Sequence, residues 1–315
     1  MFSGVGELTK KYTLNKYGYK VEVVPKYGMN CIRALCENPY VDILKTPSDI
    51  DILGNDDAFL FGIPVLFFPN RISCGRFEFE GREYKFPINE PRLNNFCHGT
   101  LHKLPFEVIE NDDEHIKGVF VATENSPYLT FPHSFEFYVE YRIRKEGVYQ
   151  IVSIKNTSDK NMPVALGFHT TFNLSDRDTI KIPASKDVER SFETFLPTGR
   201  VYDDFELKDT LNKGFFKPQG NPVSKLFELG GTEMQITDEK TRIRVSYVFD
   251  EKYKYCMLYS GNGKDHICIE PQTWLTDCPN LDVDRIGCGF DYIKPNETKI
   301  YTCVLSAEQL KCKIL

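Results

Sequence analysis

Two segments of the chain alternate apolar and polar residues on both sides of a glycine turn. The first, "GRFEFEGREYKF", spans residues 75–86 and turns at Glu80-Gly81; the second, "HSFEFYVEYRIRKEGVYQIVSIKN", spans residues 133–156 and turns at Glu146-Gly147. A period of two is typical of half-buried β-strands, and a glycine between two such runs permits the tight turn of a hairpin. Each segment is therefore predicted to be an antiparallel β-hairpin.

The rest of the chain extends this pattern, and helical periodicity is nearly absent. Turn clusters such as "NTSDKN", "GNGKD" and "PNE" separate further β-like runs: "YKVEVVP", "VDILKTP", "EMQITD", "TRIRVSYVF", "KYCMLYS", "HICIEP" and "KIYTCVLSA". The 315 residues include 24 Phe and 17 Tyr, but no long Gly/Ser or Pro linker and no repeat. Many short strands without a linker favour one all-β domain. We predict a large antiparallel β-sandwich with few short helices, a single domain spanning residues 1–315.

Composition argues against several classes of function. Charged residues make up 27% of the chain and the formal net charge is −6 at pH 7, so no basic surface is available for nucleic acid or a membrane. The N-terminal stretch "MFSGVGELTKKYTLNKYGYK" lacks the apolar core of a signal peptide, and "FLFGIPVLFFP" is too short to span a bilayer. We expect a soluble cytoplasmic protein that binds a small neutral or mildly polar molecule. No feature identifies a surface for self-association.

Ten cysteines are scattered through the sequence without a C-x-x-C pair. They lie at positions 31, 36, 74, 97, 256, 268, 278, 288, 303 and 312. Closely spaced pairs are the usual signal of a zinc site, and a secretory context is the usual signal of a disulfide framework. Because both signals are missing, we expect free, buried thiols.

The six histidines differ in how well they are placed for chemistry. His98 precedes a glycine in "FCHGT", where the backbone can bend sharply and let a ligand approach closely. His169 lies among small and apolar residues in "VALGFHTTFNL". Each is either a core histidine with a structural hydrogen bond or a group that moves a proton, and both alternatives stay open. His115 is expected in a solvated turn, and His133 and His266 are expected at the surface or at strand ends.

One glutamate stands near the end of a hydrophobic strand. In "HICIEPQTW" the alternation places Glu270 on the face opposite Ile267 and Ile269, and Pro271 is expected to end the strand pairing. Such a carboxylate is either a salt-bridged structural acid or a site residue whose pKa is raised by partial burial. If an imidazole faced the same pocket, the two groups would form an acid and a base that work near neutral pH.

Five segments together resemble the aldose 1-epimerases, also called galactose mutarotases. The segments are "PNRISCGRFEFEGREYKFPIN", a following "HG", "ALGFHTTFNL", "LPTG" and "CIEPQTWLTDCPN", in the family's order and between about residues 60 and 305. The resemblance implies a β-sandwich of the galactose-mutarotase type with a carbohydrate pocket on one concave sheet face. It also implies an isomerase of carbohydrate metabolism that uses neither a metal nor an organic cofactor.

The resemblance assigns roles to five residues. His169 would be the general acid that protonates the ring oxygen of a free hexose, and Glu270 the general base that takes the proton of the anomeric hydroxyl. This pair would open and close the ring and so interconvert the α and β anomers. His98, Asn70 and Arg71 would hold the ring oxygen and hydroxyls by hydrogen bonds.

Three further residues are candidates for contacts with the sugar. Gln272 would orient the carboxylate of Glu270, and His102, four residues after His98, would supply an additional contact. Trp274, the only tryptophan, is either packed in the core or a platform for the apolar face of a sugar ring. The chain departs from the family's pattern where relatives usually have Asp and Gln, because it has Ser224 and Met257 there.

Other functions remain as alternatives. A hexose-phosphate mutarotase would need a cationic clamp, for which Arg76, Arg82 and Arg92 lie in the right region. A non-catalytic sugar-binding or regulatory module would keep the sandwich without turnover. A metal enzyme built from His98, His102, His169 and Glu270 is conceivable by ligand type. A glycosidase ranks last, because it needs two carboxylates.

Overall fold

Antiparallel β-strands form most of the protein. A computed structural model describes residues 9–261, 264–282 and 287–311. The strands, in chain order, are β1 (Tyr12–Lys16), β2 (Tyr19–Val24), β3 (Asn30–Glu37), β4 (Tyr40–Asp42), β5 (Val65–Leu66), β6 (Arg71–Ser73), β7 (Arg76–Phe79), β8 (Arg82–Lys85), β9 (Asn95–Cys97), β10 (Glu107–Asn111), β11 (His115–Ala122), β12 (Phe135–Arg144), β13 (Gly147–Asn156), β14 (Met162–Val164), β15 (Gly167–Phe168), β16 (Thr170–Asn173), β17 (Asp178–Lys181), β18 (Ala184–Arg190), β19 (Pro197–Tyr202), β20 (Ser224–Leu229), β21 (Glu233–Asp238), β22 (Ile243–Phe249), β23 (Tyr255–Tyr259), β24 (His266–Gln272), β25 (Asp291–Ile293) and β26 (Thr298–Gln309).

The helical segments are short. Among the described residues they are α1 (Lys208–Lys213) and the 3₁₀ helices Ile50–Gly54, Asp56–Leu60, Leu101–Lys103 and Cys278–Asn280. None of the helices in the described part of the chain is long and apolar enough to cross a bilayer.

Two large antiparallel sheets organise the strands. The first has the order β10-β11-β12-β13-β26-β22-β21-β17. The second, which we call the site sheet, has the order β19-β18-β20-β23-β24-β15-β5, and β16 also pairs with β24. One hydrophobic cluster takes buried side chains from both sheets, including Phe135 and Val139 of the first and Phe168 and Leu258 of the site sheet. The predicted all-β sandwich is confirmed.

Both predicted hairpins are present, the first at its predicted turn and the second with its turn at Lys145-Glu146, one residue before the predicted Glu146-Gly147. Strands β7 and β8 pair from Arg76 opposite Lys85 to Phe79 opposite Arg82, and β12 and β13 pair along their whole length. At the first turn Glu80 and Gly81 both have positive φ, +50° and +73°. This is the backbone shape that a two-residue hairpin turn needs to match the twist of its strands. The alternating sequence therefore predicted the strands of both hairpins and the turn of the first, whereas in the second Gly147 belongs to the strand and pairs with Arg144.

The expectation that all cysteines are free is wrong for one pair. Cys278 and Cys288 form a disulfide, with their Cα atoms 6.0 Å apart. Because the 3₁₀ helix at Cys278 folds back beside the turn at Cys288, the fold creates a proximity that a spacing of ten residues did not signal. Seven cysteines are free, namely 31, 36, 74, 97, 256, 268 and 303. Cys312 lies outside the described residues.

Candidate active site

Glu270 lies in β24, a strand inside the site sheet that is buried along its whole length. It pairs with Met257 of the neighbouring strand β23, and its side chain is 3% exposed. The strand pairing continues through Pro271 to Gln272, so the prediction that Pro271 ends it is wrong. Both faces of the strand meet protein, so the alternation in its sequence does not separate a buried face from an exposed one.

His169 lies between the short strands β15 and β16, next to Glu270. Its backbone N–H donates to the carbonyl oxygen of Pro64 at 3.0 Å, which fixes the chain where the two strands meet. The imidazole Nε2 is 3.3 Å from Oε1 of Glu270, and the His169 side chain is 9% exposed. The imidazole and the carboxyl group named by the sequence are therefore within direct reach of each other.

His98 and Asn70 form a reciprocal pair beside this contact. The His98 N–H donates to the carbonyl of Asn70 at 2.9 Å, and the Asn70 N–H donates to Nδ1 of the His98 ring at 3.1 Å. Both residues have positive φ, +61° and +59°. Because Nδ1 accepts, a neutral His98 carries its proton on Nε2, and it offers the cavity a hydrogen-bond donor.

Position 99 requires a glycine both because of close packing and because of its backbone conformation. Its φ is +70°, and a Cβ there would collide with the carbonyl oxygen of Phe67 and the hydroxyl of Tyr128. The same Tyr128 hydroxyl donates to the Phe67 carbonyl at 2.6 Å. The glycine after His98 therefore allows the chain to lie directly against the core.

Arg71 is fixed by an ion pair at the start of β6. Its Nε and Nη2 atoms both donate to the carboxylate of Glu90 at 2.7 Å, a two-point pairing that sets the plane of the guanidinium. The ring of Phe195 lies 5.0 Å from the guanidinium carbon. The positive charge of Arg71 is therefore already matched by a carboxylate.

These residues surround a cavity of about 330 Å³. Its walls combine the predicted polar residues with aromatic and aliphatic side chains, as is typical of small-molecule sites. It is lined by Phe59, Leu60, Asn70, Arg71, His98, His169, Arg190, Phe195, Ser224, Met257, Tyr259 and Glu270.

Comparison with known proteins identifies the family. The sequence profile of the aldose 1-epimerases matches residues 10–306. The chain belongs to the aldose 1-epimerase family. A galactose mutarotase-like protein from Clostridium acetobutylicum is 31% identical, with a TM-score of 0.87 over 96% of this chain and 99% of that one.

Two more distant relatives extend the comparison. The galactose 1-epimerase of Lactobacillus acidophilus shares the fold at 17% identity, with a TM-score of 0.73 and 96% of each chain covered. The uncharacterized protein YihR of Escherichia coli is 24% identical over 234 residues, which is 71% of this chain and 73% of that protein.

Three predicted contact residues of this aldose 1-epimerase family member do not line the cavity. Trp274 is fully buried, stacks on Phe68 with ring centroids 5.2 Å apart, and donates its indole N–H to the Pro69 carbonyl at 3.2 Å. A ring packed in this way has no face left for a sugar, so the packing alternative is correct. The hydrogen bond from Trp274 holds the backbone of Pro69, directly before Asn70, on the side away from the cavity.

Gln272 and His102 are also buried away from the cavity. Gln272 is fully buried in the site sheet opposite Gly167 and Tyr255, because the strand continues past Pro271. The ring of His102 packs 4.2 Å from that of Phe59. Burial lowers the pKa of His102 to about 3, so this ring is neutral and supports Phe59 from outside the site.

The three arginines considered for a phosphate clamp lie at the surface. Arg76, Arg82 and Arg92 are all exposed, and none lines the cavity. The first two alternate outward on the β7–β8 hairpin, which is the ordinary position of an arginine on a half-buried strand.

Sequence reasoning missed several residues of the cavity wall. Phe59 touches both site histidines, with ring centroids 5.0 Å from His98 and 5.5 Å from His169. Arg190 reaches the cavity from the end of β18, shortly before "LPTG". Neither residue belongs to one of the recognisable segments, so only their position in three dimensions assigns them to the site.

Burial changes the protonation of the central pair. It raises the pKa of Glu270 to about 8, although Arg190 and Arg71 pull in the opposite direction. Burial lowers the pKa of His169 to about 4 and lowers the pKa of His98 well below its ordinary value. At neutral pH the His169–Glu270 pair therefore holds one proton, and His98 is uncharged.

The donor set does not fit a metal ion, although His98, His169 and Glu270 have ligand atoms within 4.8 Å of one another. A histidine that ligates through Nε2 keeps its proton on Nδ1 and donates it to an acceptor. Nδ1 of His98 faces the Asn70 N–H, which is itself a donor. If His98 bound a metal ion through Nε2, its Nδ1–H and the Asn70 N–H would point at each other, with the two nitrogens 3.1 Å apart.

Proposed function

We propose that this protein is an aldose 1-epimerase that interconverts the α and β anomers of a monosaccharide, with His169 and Glu270 as its acid–base pair. The observation that carries the proposal is the 3.3 Å contact between Nε2 of His169 and Oε1 of Glu270. Both side chains line a cavity of about 330 Å³. Family membership supports the same reaction class.

The reaction requires one proton to leave the sugar and another to enter it. In the form of the pair that carries its proton on His169, the Glu270 carboxylate takes the proton of the anomeric hydroxyl while the His169 imidazolium protonates the ring oxygen. The bond between C1 and the ring oxygen then breaks to give an open-chain aldehyde. Rotation about the C1–C2 bond presents the other carbonyl face. Ring closure reverses both transfers and returns each proton to its original group.

A pair that holds a single proton suits this exchange. With one proton shared, one partner is always a donor and the other an acceptor, whichever of them carries it. The carboxyl pKa near 8 and the imidazole pKa near 4 keep the pair in this state across the neutral range. General acid and general base groups each contribute about 10²- to 10⁴-fold to a rate.

The remaining polar residues would hold the sugar in place. Neutral His98 offers an Nε2–H donor, and the fixed guanidinium of Arg71 offers its remaining N–H groups. Groups that are already held by Asn70 and Glu90 lose little freedom when a ligand binds.

The test is anomer exchange measured by NMR exchange spectroscopy, with α-glucose and α-galactose as substrates. Wild-type protein is expected to accelerate exchange of at least one sugar, and Glu270→Gln and His169→Asn are each expected to lose about 10²- to 10⁴-fold. Glu297→Gln is the matched control, because Glu297 is exposed and lies outside the cavity. Equal rates in wild type and both site variants would reject catalysis and leave a sugar-binding module.

A further inference from the structure

Arg190 brings a second guanidinium into the cavity, and its chemistry differs from that of Arg71. It lies at the end of β18 and lines the cavity with Ser224 of the adjacent strand β20. Nη2 of Arg190 donates to the carbonyl oxygen of Ser224 at 2.7 Å and is 3.1 Å from its hydroxyl oxygen. A guanidinium has five N–H donors, so most of its capacity is left for another partner.

The two carboxylates of β18, and the carboxylate that binds Arg71, are already paired with other groups. Asp187 accepts from Lys225 at 2.6 Å, and Glu189 accepts from the hydroxyl of Tyr202 at 2.9 Å. Glu90 is occupied by both donating nitrogens of Arg71. Within the described residues Arg190 has no ion-pair partner at 4.0 Å or less.

An unpaired guanidinium in this place has an electrostatic cost. Burial and then the charge of Arg71 lower the pKa of Arg190, and together they outweigh Glu270 and Asp187, which raise it. Among the described residues Glu270 is the one carboxyl group in the cavity wall, and it shares a single proton with His169 at neutral pH, so this pair has no net charge wherever the proton lies. The cavity therefore has one excess positive charge, which a neutral sugar leaves uncompensated.

We propose that the substrate is an aldose that carries an anionic substituent, and that Arg190 binds this substituent and so determines specificity. The inference rests on the proposed function and narrows its substrate class. Carboxylate, sulfate and phosphate groups all match the planar N–H donors of arginine.

The sheet order separates the backbone of Arg190 from that of Glu270, although the charge of Arg190 still acts on Glu270 across the cavity. Strands β18, β20, β23 and β24 are successive neighbours in the site sheet. Arg190 is therefore anchored three strand spacings from Glu270, roughly 14 Å at the backbone. For Arg190 to bind the substituent, the sugar would have to lie with its exocyclic carbon, which is attached next to the ring oxygen, turned towards Arg190.

Ser224 provides a sharp way to test the idea. Its hydroxyl is 3.1 Å from Nη2 of Arg190, so a carboxylate in its place would form an ion pair with the guanidinium. Ser224→Asp should therefore neutralise Arg190 without removing it. Ser224→Ala is the matched control, because it removes the hydroxyl without adding charge.

Arg190→Gln removes the charge directly, and Arg200→Gln is its control, because Arg200 is exposed and lies outside the cavity.

The experiment compares kcat/KM for anomer exchange of glucose with that of glucuronate, glucose 6-sulfate and glucose 6-phosphate. Wild-type protein should favour at least one anionic sugar over glucose by about tenfold or more. Arg190→Gln and Ser224→Asp should each reduce this preference by about 10- to 100-fold, and both controls should keep it. The three anionic sugars show which group is recognised.

Two results would overturn the inference and leave the proposed function standing. In the first, glucose is turned over at least as well as every anionic sugar. In the second, the preference for an anionic sugar survives both Arg190→Gln and Ser224→Asp. If no sugar is turned over, the proposed function fails. Calorimetric binding of 1,5-anhydroglucitol and its 6-carboxylate, 6-sulfate and 6-phosphate analogues then decides the question separately. Tighter binding of an anionic analogue that is lost in Arg190→Gln supports the anion site, and equal binding of all four contradicts it.

Discussion

Burial of one carboxyl group beside one imidazole determines what both residues can do. Near neutral pH an exposed glutamate would be fully charged, and an exposed histidine would be largely uncharged. In the cavity wall Glu270 instead keeps its proton up to a pKa of about 8, and His169 stays neutral down to a pKa of about 4. The pair therefore keeps one exchangeable proton over a wide pH range.

This pair predicts how stability depends on pH. Between about pH 6.5 and 8 the folded pair holds one proton, whereas in the unfolded chain Glu270 and His169 both release theirs. The folded state binds more protons, so its stability falls as pH rises, by up to about 1.4 kcal/mol per pH unit from Glu270. Urea unfolding at pH 6.5 and pH 8 should show this fall in wild type and not in Glu270→Gln. The same pH dependence in both proteins would contradict a raised pKa for Glu270.

The sequence predicted the site residues unevenly, for physical reasons. His98, His169, Glu270, Asn70 and Arg71 were found because they belong to recognisable segments, and the structure brings them around one cavity. Their roles in catalysis and binding stay predictions.

Buried polar side chains were the main source of error at this scale. His115 was expected in a solvated turn, and His133 and His266 at the surface or at strand ends. His266 does begin β24, but His115 begins β11 and all three side chains are buried. His133, for example, bonds to the Tyr84 hydroxyl and to Ser158, both at 2.9 Å. Such partners come from distant parts of the chain, so a local pattern of polar residues does not reveal them.

At the scale of elements, strand pairing is what places the site. Strand β24 lies between β23 and the short strands β15 and β16, so Glu270 faces residues from both neighbours. Alternation predicted the hairpins because each depends on local sequence. It failed at Pro271, where the pairing continues to Gln272, because a pairing set by neighbouring strands overrides a local preference.

The turn at His98 gives a prediction about an element. Gly99→Ala should destabilise the fold by about 1–2 kcal/mol from its positive φ and by about 1–3 kcal/mol more from collision with Phe67 and Tyr128. It should also lower kcat/KM, because the shift displaces His98. Gly81→Ala is the matched control: its φ of +73° is similar, but no atom lies within 4 Å of the added Cβ. Equal losses of stability in both variants would contradict the close packing of Gly99.

At the scale of the whole molecule, the fold class followed from strand pattern and composition, but the cavity did not. Its wall combines Phe59 from a 3₁₀ helix, Arg190 from β18 and Tyr259 from β23, which are brought together by the closed sandwich. The excess charge of the cavity depends on which carboxylates are already paired. That is a property of three-dimensional contacts, and no segment of sequence contains it.

The pH dependence of kcat/KM for anomer exchange tests the central claim most directly. The measurement uses the sugar that wild-type protein turns over fastest, with the uncatalysed rate subtracted at each pH. A pair that shares one proton predicts a plateau that declines below about pH 4 and above about pH 8. A rate that stays constant through pH 8 and above, or that is unchanged in Glu270→Gln, would contradict the account.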